Sequence, residues 1–474
     1  MTPFWWDSLF WMAALLALAV CALVLLRPYL GNLFDGRLSA TSLAIIFYFI
    51  YSIPFAFDYL AGIIGPDEVS VQAIAMVKVS FIGMCGLVTG IVLARLIIRP
   101  RGVRALVAFE PAHLRRFFWI GVVLLALGWT LAYLGAKPFG GLIAFLGAPY
   151  HMRWEMISRG FTLWNYAVLV MKAAGIVGGF LLAGYLLLRR PLIEKLFPLI
   201  ISAAILVLPA LWFALWGQRR GIMVGVLVFL VLFSTYGRRI RFGYILGALG
   251  ILYALLVIIA IIRVMTITTY RPGYAAVVFQ EAMETGRLYG LSRNDPGLTL
   301  EPVGRIYDYQ QNGGELLLGR SYAAAIAIAM PKPLRFTGDR PVNVPRWYTE
   351  RFEPDLAAKG GSVAITSTAE ALANFGLTGV FLVHLLIMFC FATFEMRVSG
   401  GVLGTVLRIG TIPFYVFILH HSSDINLYKL SYILGILLFF TFLVYGPALL
   451  AGHHRVCPEE APGLRMPTSP PEPA

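Results

Sequence analysis

Long runs of apolar residues recur along the chain and are separated by mostly short polar segments. Each run is long enough for a helix to cross a hydrocarbon core roughly 30 Å thick. The runs predict eleven transmembrane helices, near residues 8–27, 40–60, 72–97, 116–135, 164–187, 196–216, 221–236, 242–263, 377–396, 402–420 and 427–450. The pattern therefore predicts an all-α polytopic membrane protein.

The composition supports this class. Of the 474 residues, 59% are hydrophobic and 13% are charged, whereas a soluble domain carries roughly 25% charged residues. A soluble fold, a disordered chain, collagen and a coiled coil are all excluded, because apolar residues extend along the whole chain. The four cysteines have no spacing typical of a disulfide framework or a zinc site.

The net charge of +14 indicates an orientation in the membrane and not a nucleic-acid partner. Basic clusters follow the third, fifth and seventh predicted helices. Short loops rich in Lys and Arg stay in the cytoplasm. We therefore expect the N-terminus outside and the C-terminus inside, with residues 1–263 forming helices one to eight and 377–452 forming helices nine to eleven. The Pro-rich residues 453–474 predict a disordered cytoplasmic tail.

The segment 264–376 is long, whereas most other segments between the predicted helices are short. It carries eleven basic and eleven acidic residues between Met265 and Asn374. Because long structureless loops are uncommon and usually functional, we expect a helical extracytoplasmic cap. Residues 316–330 are Ala-rich and predict a helix, whereas 339–354 are rich in Pro, Arg and aromatics and predict irregular structure.

Two groups of basic residues are candidates for binding phosphate. Arg219 and Arg220 lie on the predicted outer face, where arginine is otherwise disfavoured. The arginine fork binds phosphate oxygens with two parallel hydrogen bonds. The loop adds basic side chains interleaved with aromatic ones, including Lys332, Arg335, Arg340, Trp347 and Tyr348. The alternatives are arginines that reach lipid headgroups and a solvated loop whose charges pair internally.

Two polar groups are candidates for activating a hydroxyl. Thr366, Glu370 and Asn374 recur every fourth residue and share one face of a predicted helix, which Ser367 and Glu370 would begin as a capping box. His420, His421 and Asp424 lie in the predicted outer turn before the last helix. Either group offers a base or an orienting acceptor. The alternatives are capping and packing for the first group and plain hydration for the second.

Familiar energy-coupling motifs are absent from the sequence. It contains no Walker motif, nucleotide-binding glycine pattern, HExxH or GxSxG, so readings as an ATPase, a zinc protease or a serine hydrolase lose support. We expect neither a metal nor another cofactor. Any energy must come from the substrate or from a gradient.

Three segments carry a resemblance to a known family. They are the arginine-containing turn Gly217-Gln218-Arg219-Arg220-Gly221, the proline-and-basic elements Met330-Pro331-Lys332-Pro333 and Arg340-Pro341, and the run Ser362 to Gly376 that leads back into the membrane. With these segments and one large late loop, the chain resembles Wzy-type polysaccharide repeat-unit polymerases, most closely the enterobacterial common antigen polymerase group.

The resemblance implies a glycosyltransferase of the bacterial cytoplasmic membrane that acts at the outer leaflet without a metal. It would transfer a growing glycan from undecaprenyl diphosphate to the non-reducing end of a lipid-linked repeat unit. Its implied functional partners are a flippase and a chain-length regulator. An O-antigen-ligase-like enzyme, a lipid-linked glycan transporter and a non-catalytic assembly subunit are the alternatives.

Overall fold

The computed structural model describes ten stretches of the chain. They are residues 3–30, 39–63, 71–98, 111–147, 162–187, 192–215, 295–329, 343–358, 362–397 and 422–445, with a few isolated positions between them. Their helices are α1 (Pro3–Leu30), α2 (Ala40–Ser52), α3 (Pro54–Leu60), α4 (Val71–Ile97), α5 (Pro111–Ala136), α6 (Leu142–Gly147), α7 (Thr162–Leu187), α8 (Leu192–Leu215), α9 (Asp295–Gln311), α10 (Arg320–Ala329), α11 (Val344–Phe352), α12 (Pro354–Ala358), α13 (Ser367–Arg397) and α14 (Ser423–Tyr445). No strand occurs in these stretches.

Several of these helices are able to cross a membrane. Within the described stretches, five are long and apolar enough, in α1, α4, α5, α7 and α13. The pair α2 and α3, bent by 55° where Pro54 follows Ile53, makes a sixth if it counts as one span. This agrees with the predicted all-helical, multi-pass membrane fold. The count of eleven stays a prediction, because spans 221–236, 242–263 and 402–420 lie outside the described stretches apart from isolated positions.

Glycines allow α4 and α13 to pack closely in parallel. A Cβ atom at Gly86 would lie 2.3 Å from the Phe381 carbonyl oxygen, and one at Gly90 would lie 2.5 Å from that of Leu385. Membrane helices commonly approach each other through small residues, since lipid offers no hydrophobic drive for association. The pairing advances in the same direction along both helices, so α4 and α13 run parallel.

α13 is broken and folded back on itself at Gly376. This residue has φ 67° and ψ −157°, a region that favours glycine. Thr368 Oγ1 lies 3.1 Å from His384 Nε2, although sixteen residues of straight helix would separate them by roughly 24 Å. Residues 367–375, the short arm, therefore lie beside the first turns of residues 377–397, the long arm.

The other contacts order the helix directions. The rings of Trp11 and Phe81 pack 5.2 Å apart, so α1 and α4 begin at the same end. Thr41 donates both its N–H and its hydroxyl to the Glu395 carboxylate, so α2 begins where α13 ends. The starts of α1, α4 and the long arm therefore lie at one end of the bundle. The start of α2 and the end of the long arm lie at the opposite end.

The remaining long helices continue this alternation. Arg116, near the start of α5, donates to the carbonyl oxygen of Val444 near the end of α14. A side chain at Gly184 would meet Leu114, so α7 ends where α5 begins. Glu194 therefore lies in the first turn of α8 at the opposite end as well.

Helices α9 to α12 form a cap over the first end. The apolar side chains of α9 and α11 share a hydrophobic cluster with the start of α4 and with the short arm, including Val303, Tyr348 and Leu372. The described residues of the cap form four helices, and its extracytoplasmic location stays a prediction. The prediction of irregular structure over 339–354 is wrong for Val344–Phe352, because Asn343 Oδ1 accepts from Arg346 N (3.2 Å) and begins α11.

Carbonyl groups freed at the break of α13 decide where α10 starts. Leu317 N and Leu318 N donate to the carbonyl oxygens of Ala373 and Asn374 at 2.9 and 3.0 Å. Gln310 Nε2 donates to the Leu372 carbonyl oxygen at 2.6 Å. Residues 316–319 therefore pair with the short arm, and the predicted helix 316–330 begins at Arg320.

Candidate active site

Glu370 is a buried carboxylate at the junction of the cap and the bundle. It lies in the first turn of α13 and is 1% exposed. Its Oε1 accepts from Ser321 Oγ (2.7 Å) and from Ser423 Oγ (2.7 Å), while Oε2 accepts from Ser423 N (2.6 Å). One side chain thereby joins α10, α13 and α14.

The starts of three helices surround this carboxylate. Ser321 is the second residue of α10, Ser423 is the first residue of α14, and Glu370 itself lies in the first turn of α13. Three helix N-termini, each with positive partial charge, thus meet at one carboxylate. Hydrogen bonds to an ionised group and a nearby positive dipole both stabilise its charge.

Asn374 extends this network by one turn of the short arm. Its Nδ2 donates to Ser321 Oγ (2.7 Å) and to the Glu370 carbonyl oxygen (2.8 Å), and its Oδ1 accepts from Gly319 N (3.0 Å). Asn374 is completely buried. Glu370 and Asn374, which are predicted to share one helix face, are thus connected through the Ser321 hydroxyl.

Thr366, the third member of the predicted stripe, caps the short arm. Its Oγ1 accepts from Ala369 N at 3.2 Å. The predicted capping box of Ser367 and Glu370 is wrong: Ser367 Oγ donates to the Leu419 carbonyl oxygen (3.1 Å). Glu370 instead accepts its hydrogen bonds from Ser321 and Ser423 on two other helices.

Two hydroxyl groups next to this network have no hydrogen-bond partner within the described residues: Tyr322 Oη and Ser422 Oγ. Tyr322 directly follows Ser321, and Ser422 directly precedes Ser423, the two serines that donate to Glu370. The Tyr322 ring stacks on Phe375, with centroids 6.0 Å apart and planes 6° apart. Burial, together with the Glu370 charge, raises the pKa of Tyr322, so its hydroxyl stays protonated. Sequence reasoning missed both residues.

Trp347 and Tyr348 belong to the packing of the cap. Tyr348 is 2% exposed, and its ring lies 4.8 Å from that of Phe352. Trp347 packs edge-to-face on the same phenylalanine at 6.1 Å. Burial raises the pKa of Tyr348. These two predicted binding residues therefore lie in an aromatic cluster inside the cap.

Charges of the cap pair with each other. Arg346 Nε donates to Glu350 Oε1 at 2.6 Å. Arg305 binds both Glu301 and Glu353 at 2.6 Å. These pairs match the alternative in which the charges of the loop pair internally.

Most of the predicted basic and histidine site residues lie outside the described residues. They are Arg219, Arg220, Lys332, Arg335, Arg340, His420 and His421. The Asp424 backbone lies in the first turn of α14, directly after Ser423, but its side chain is also outside the described set. Roles for these residues therefore remain predictions.

A second polar group lies inside the bundle. His384 is fully buried in the long arm, where its Nδ1 donates to the Val380 carbonyl oxygen at 2.7 Å. Its Nε2 then accepts from the Thr368 hydroxyl at 3.1 Å. The ring of Tyr48 packs edge-on against the imidazole at 5.2 Å, and its hydroxyl donates to the Ser80 carbonyl oxygen.

The described residues contain no group of three or more His, Cys, Asp or Glu side chains arranged to hold a metal ion. Comparison with protein-family models, with curated proteins and with solved structures gives no match to this chain. The functional argument below therefore rests on the sequence and on the geometry of the described residues.

Proposed function

We propose that this protein polymerises undecaprenyl-diphosphate-linked oligosaccharide units at the outer leaflet of a bacterial cytoplasmic membrane. The observation that carries the proposal is Glu370, a buried carboxylate that accepts three hydrogen bonds where the cap meets the bundle. A carboxylate fixed at the membrane face is suited to orienting a sugar hydroxyl beside a lipid-linked donor.

In the proposed reaction, a hydroxyl at the non-reducing end of the acceptor unit attacks the anomeric carbon of the donor glycan. The bond from that carbon to the diphosphate oxygen breaks, and undecaprenyl diphosphate leaves with its electron pair. The hydroxyl proton passes to a base among His420, His421 and Asp424 or to Glu370. The three hydrogen bonds held by Glu370 favour an orienting role for this residue.

Arg219 and Arg220, with Lys332, Arg335 and Arg340, are proposed to bind the diphosphate. A donor aimed at developing negative charge in a site shielded from water contributes roughly 10²- to 10³-fold in rate. We expect Arg220→Ala to abolish long polymer while the protein stays in the membrane. Arg346→Ala is the control, because that exposed arginine already pairs with Glu350. Near-parental polymer in Arg220→Ala would remove this assignment.

The helix directions support the proposed orientation. Arg95, Arg115, Arg116 and Arg397 are close to the ends of α4, α5 and α13 that lie away from the cap. Lys and Arg concentrate on the cytoplasmic side of membrane proteins. This distribution supports a cytoplasmic location for that end and an outer location for the cap.

Deletion of the gene tests the function directly. Lipid-linked and surface glycans of the deletion and parent strains are sized on a gel. Loss of the long ladder with survival of one-repeat glycans is the result expected for a polymerase. Long lipid-linked chains that never reach their final carrier would indicate an O-antigen-ligase-like enzyme, and an unchanged ladder would overturn the proposal.

The break in α13 favours a second candidate, a transporter of lipid-linked glycans. Transporters build sites from broken membrane helices with buried polar groups, and here Gly376 breaks a helix next to buried His384. Purified protein in vesicles with a lipid-linked repeat unit separates the two candidates. A transporter moves the unit across the bilayer without lengthening its glycan, whereas a polymerase lengthens it.

A further inference from the structure

We propose that an apolar surface beside the break of α13 inserts into the membrane leaflet next to the cap, where lipid acyl chains cover it. The surface consists of Leu316, Leu318, Phe375 and Leu377. The inference goes beyond the proposed function, because contact with the bilayer does not depend on the reaction that the protein catalyses. Its starting point is that all four of these large apolar side chains are exposed.

The four side chains are neighbours in space. Leu318 N donates to the carbonyl oxygen of the residue before Phe375 at 3.0 Å, and a Cβ atom at Gly319 would lie 3.2 Å from Phe375 Cζ. Leu316 and Leu377 each lie two residues along the chain from one member of this pair. Single exposed apolar residues are normal in proteins, whereas a contiguous exposed patch marks contact with a membrane or with another protein.

The backbone holds Leu318 in its exposed position. Its φ is 48°, in the left-handed region that bulky residues rarely adopt, and 70% of the residue is exposed. Leu317, by contrast, is buried in the hydrophobic cluster of the cap, so the run 316–318 points alternately outward, inward and outward. Exposure of two neighbouring leucines is unfavourable in water. An apolar medium outside the protein accounts for it.

The apolar surface continues onto the long arm of α13. Phe375 lies over Gly379, because a Cβ atom there would collide with the phenylalanine side chain. Leu382 and Leu386 follow Gly379 at helical spacing on the same face, and both are exposed. Buried His384 lies on the opposite face. Since this helix is apolar enough to cross a membrane, its exposed face contacts lipid, and Phe375 extends that face to the cap.

Charged residues limit how deep the surface reaches. Exposed Glu315 and Arg320 bound the run of leucines on its two sides, and charges are tolerated near the membrane surface but not at its centre. The insertion is therefore shallow, at the level of the first acyl carbons. Leu317 N binds the Ala373 carbonyl oxygen, about one helical turn after Glu370. The inserted surface thus holds Glu370 close to the membrane surface.

Fluorescence quenching tests this contact in the full-length protein. In the variant whose four cysteines are replaced by serine, Leu318→Cys and Leu316→Cys are each labelled with the fluorophore NBD. The labelled proteins are reconstituted into vesicles of phosphatidylethanolamine and phosphatidylglycerol. One quencher is a nitroxide near the headgroup end of an acyl chain of added phosphatidylcholine, and the other is iodide in the water.

Two further positions calibrate the measurement. Leu382→Cys on the exposed face of the long arm is the standard for lipid contact, and Asp355→Cys on the exposed surface of α12 is the standard for water contact. We expect the lipid nitroxide to reduce the emission from Leu318→Cys and Leu316→Cys at least as much as that from Leu382→Cys. Iodide should leave most of that emission unchanged, whereas it should quench Asp355→Cys strongly.

Two outcomes would overturn the inference. Iodide quenching at positions 316 and 318 as strong as that of Asp355→Cys would show that water covers the surface. Quenching by neither reagent would show that another segment of the chain or a second copy covers it. Two test positions are used so that one poorly folded variant, recognised by its melting temperature, leaves the other to decide. The glycan ladder of the deletion strain has no bearing on this result, so the inference and the proposed function fail independently.

Discussion

Glu370 is held at the scale of single residues by donors that come from distant parts of the chain. Burying a charge is unfavourable unless it is fully hydrogen-bonded, and here Ser321 and Ser423 supply three donors. The same bonds tie two helices to the short arm. The residue is therefore a structural joint as well as the proposed orienting group.

The Glu370→Gln variant tests this joint. The amide of glutamine offers one acceptor oxygen where the carboxylate offers two, so at least one donor from Ser423 or Ser321 loses its partner. We expect unfolding in detergent to become easier by roughly 1–3 kcal/mol, seen as a lower melting temperature, with shortened polymer in cells.

Glu350→Gln is the matched control for that variant. Glu350 pairs with Arg346 on the surface of the cap, with 52% of its side chain exposed, and such pairs contribute about 0–1 kcal/mol. Its melting temperature and polymer should match the parent. A Glu370→Gln protein as stable as Glu350→Gln would show that the carboxylate is not a joint.

The sequence could indicate only part of this site, for local reasons. The four-residue spacing of Glu370 and Asn374 predicts their shared face, because helix periodicity is a local property. Ser321 and Ser423, by contrast, lie about fifty residues away on either side, and no local pattern marks a serine that will meet a carboxylate. Tyr322 was missed for the same reason.

At the scale of elements, the break in α13 determines where the candidate site lies. Hydropathy predicts a span that starts at 377, and the long arm does start there. Hydropathy contains no information on the φ angle of Gly376, so the folding back of the short arm could not be predicted. This folding back places the short arm, with Glu370, beside the first turns of the long arm. It also leaves the carbonyl groups of Leu372, Ala373 and Asn374 free to accept hydrogen bonds from residues 310–318.

Gly376→Ala tests whether this conformation is required. Gly376 has φ 67° and ψ −157°, a backbone region essentially restricted to glycine, where a residue with a Cβ atom costs roughly 1–3 kcal/mol. We expect a lower melting temperature and reduced polymer, since the short arm carries both Glu370 and Asn374.

Gly435→Ala controls for the loss of a helical glycine. A Cβ atom at Gly435, within α14, would meet no atom of the described residues within 4 Å. Alanine favours a helix over glycine by up to about 1 kcal/mol, so this variant should be as stable as the parent or slightly more stable. If Gly376→Ala and Gly435→Ala have the same melting temperature, a side chain at position 376 causes no backbone strain.

At the scale of the whole molecule, two independent patterns concern orientation. The contacts place the cap at one end and the start of α8 at the other, without reference to charge. The distribution of Lys and Arg, read from the sequence alone, predicts which end faces the cytoplasm. Among the described residues, Arg95, Arg115, Arg116 and Arg397 lie near helix ends away from the cap, the arrangement that the predicted orientation requires.

Labelling of single cysteines tests this orientation in living cells. In a variant whose four cysteines are replaced by serine, Asp355→Cys places a thiol on α12 of the cap and Glu194→Cys places one in the first turn of α8. Both parent residues are exposed acids, so the two substitutions are matched in charge and accessibility. A membrane-impermeant maleimide should label the cap thiol in intact cells and the α8 thiol only after permeabilisation. The opposite pattern would put the cap in the cytoplasm, where undecaprenyl-diphosphate-linked units at the outer leaflet cannot reach it, and the proposed polymerase would then have no access to its substrates.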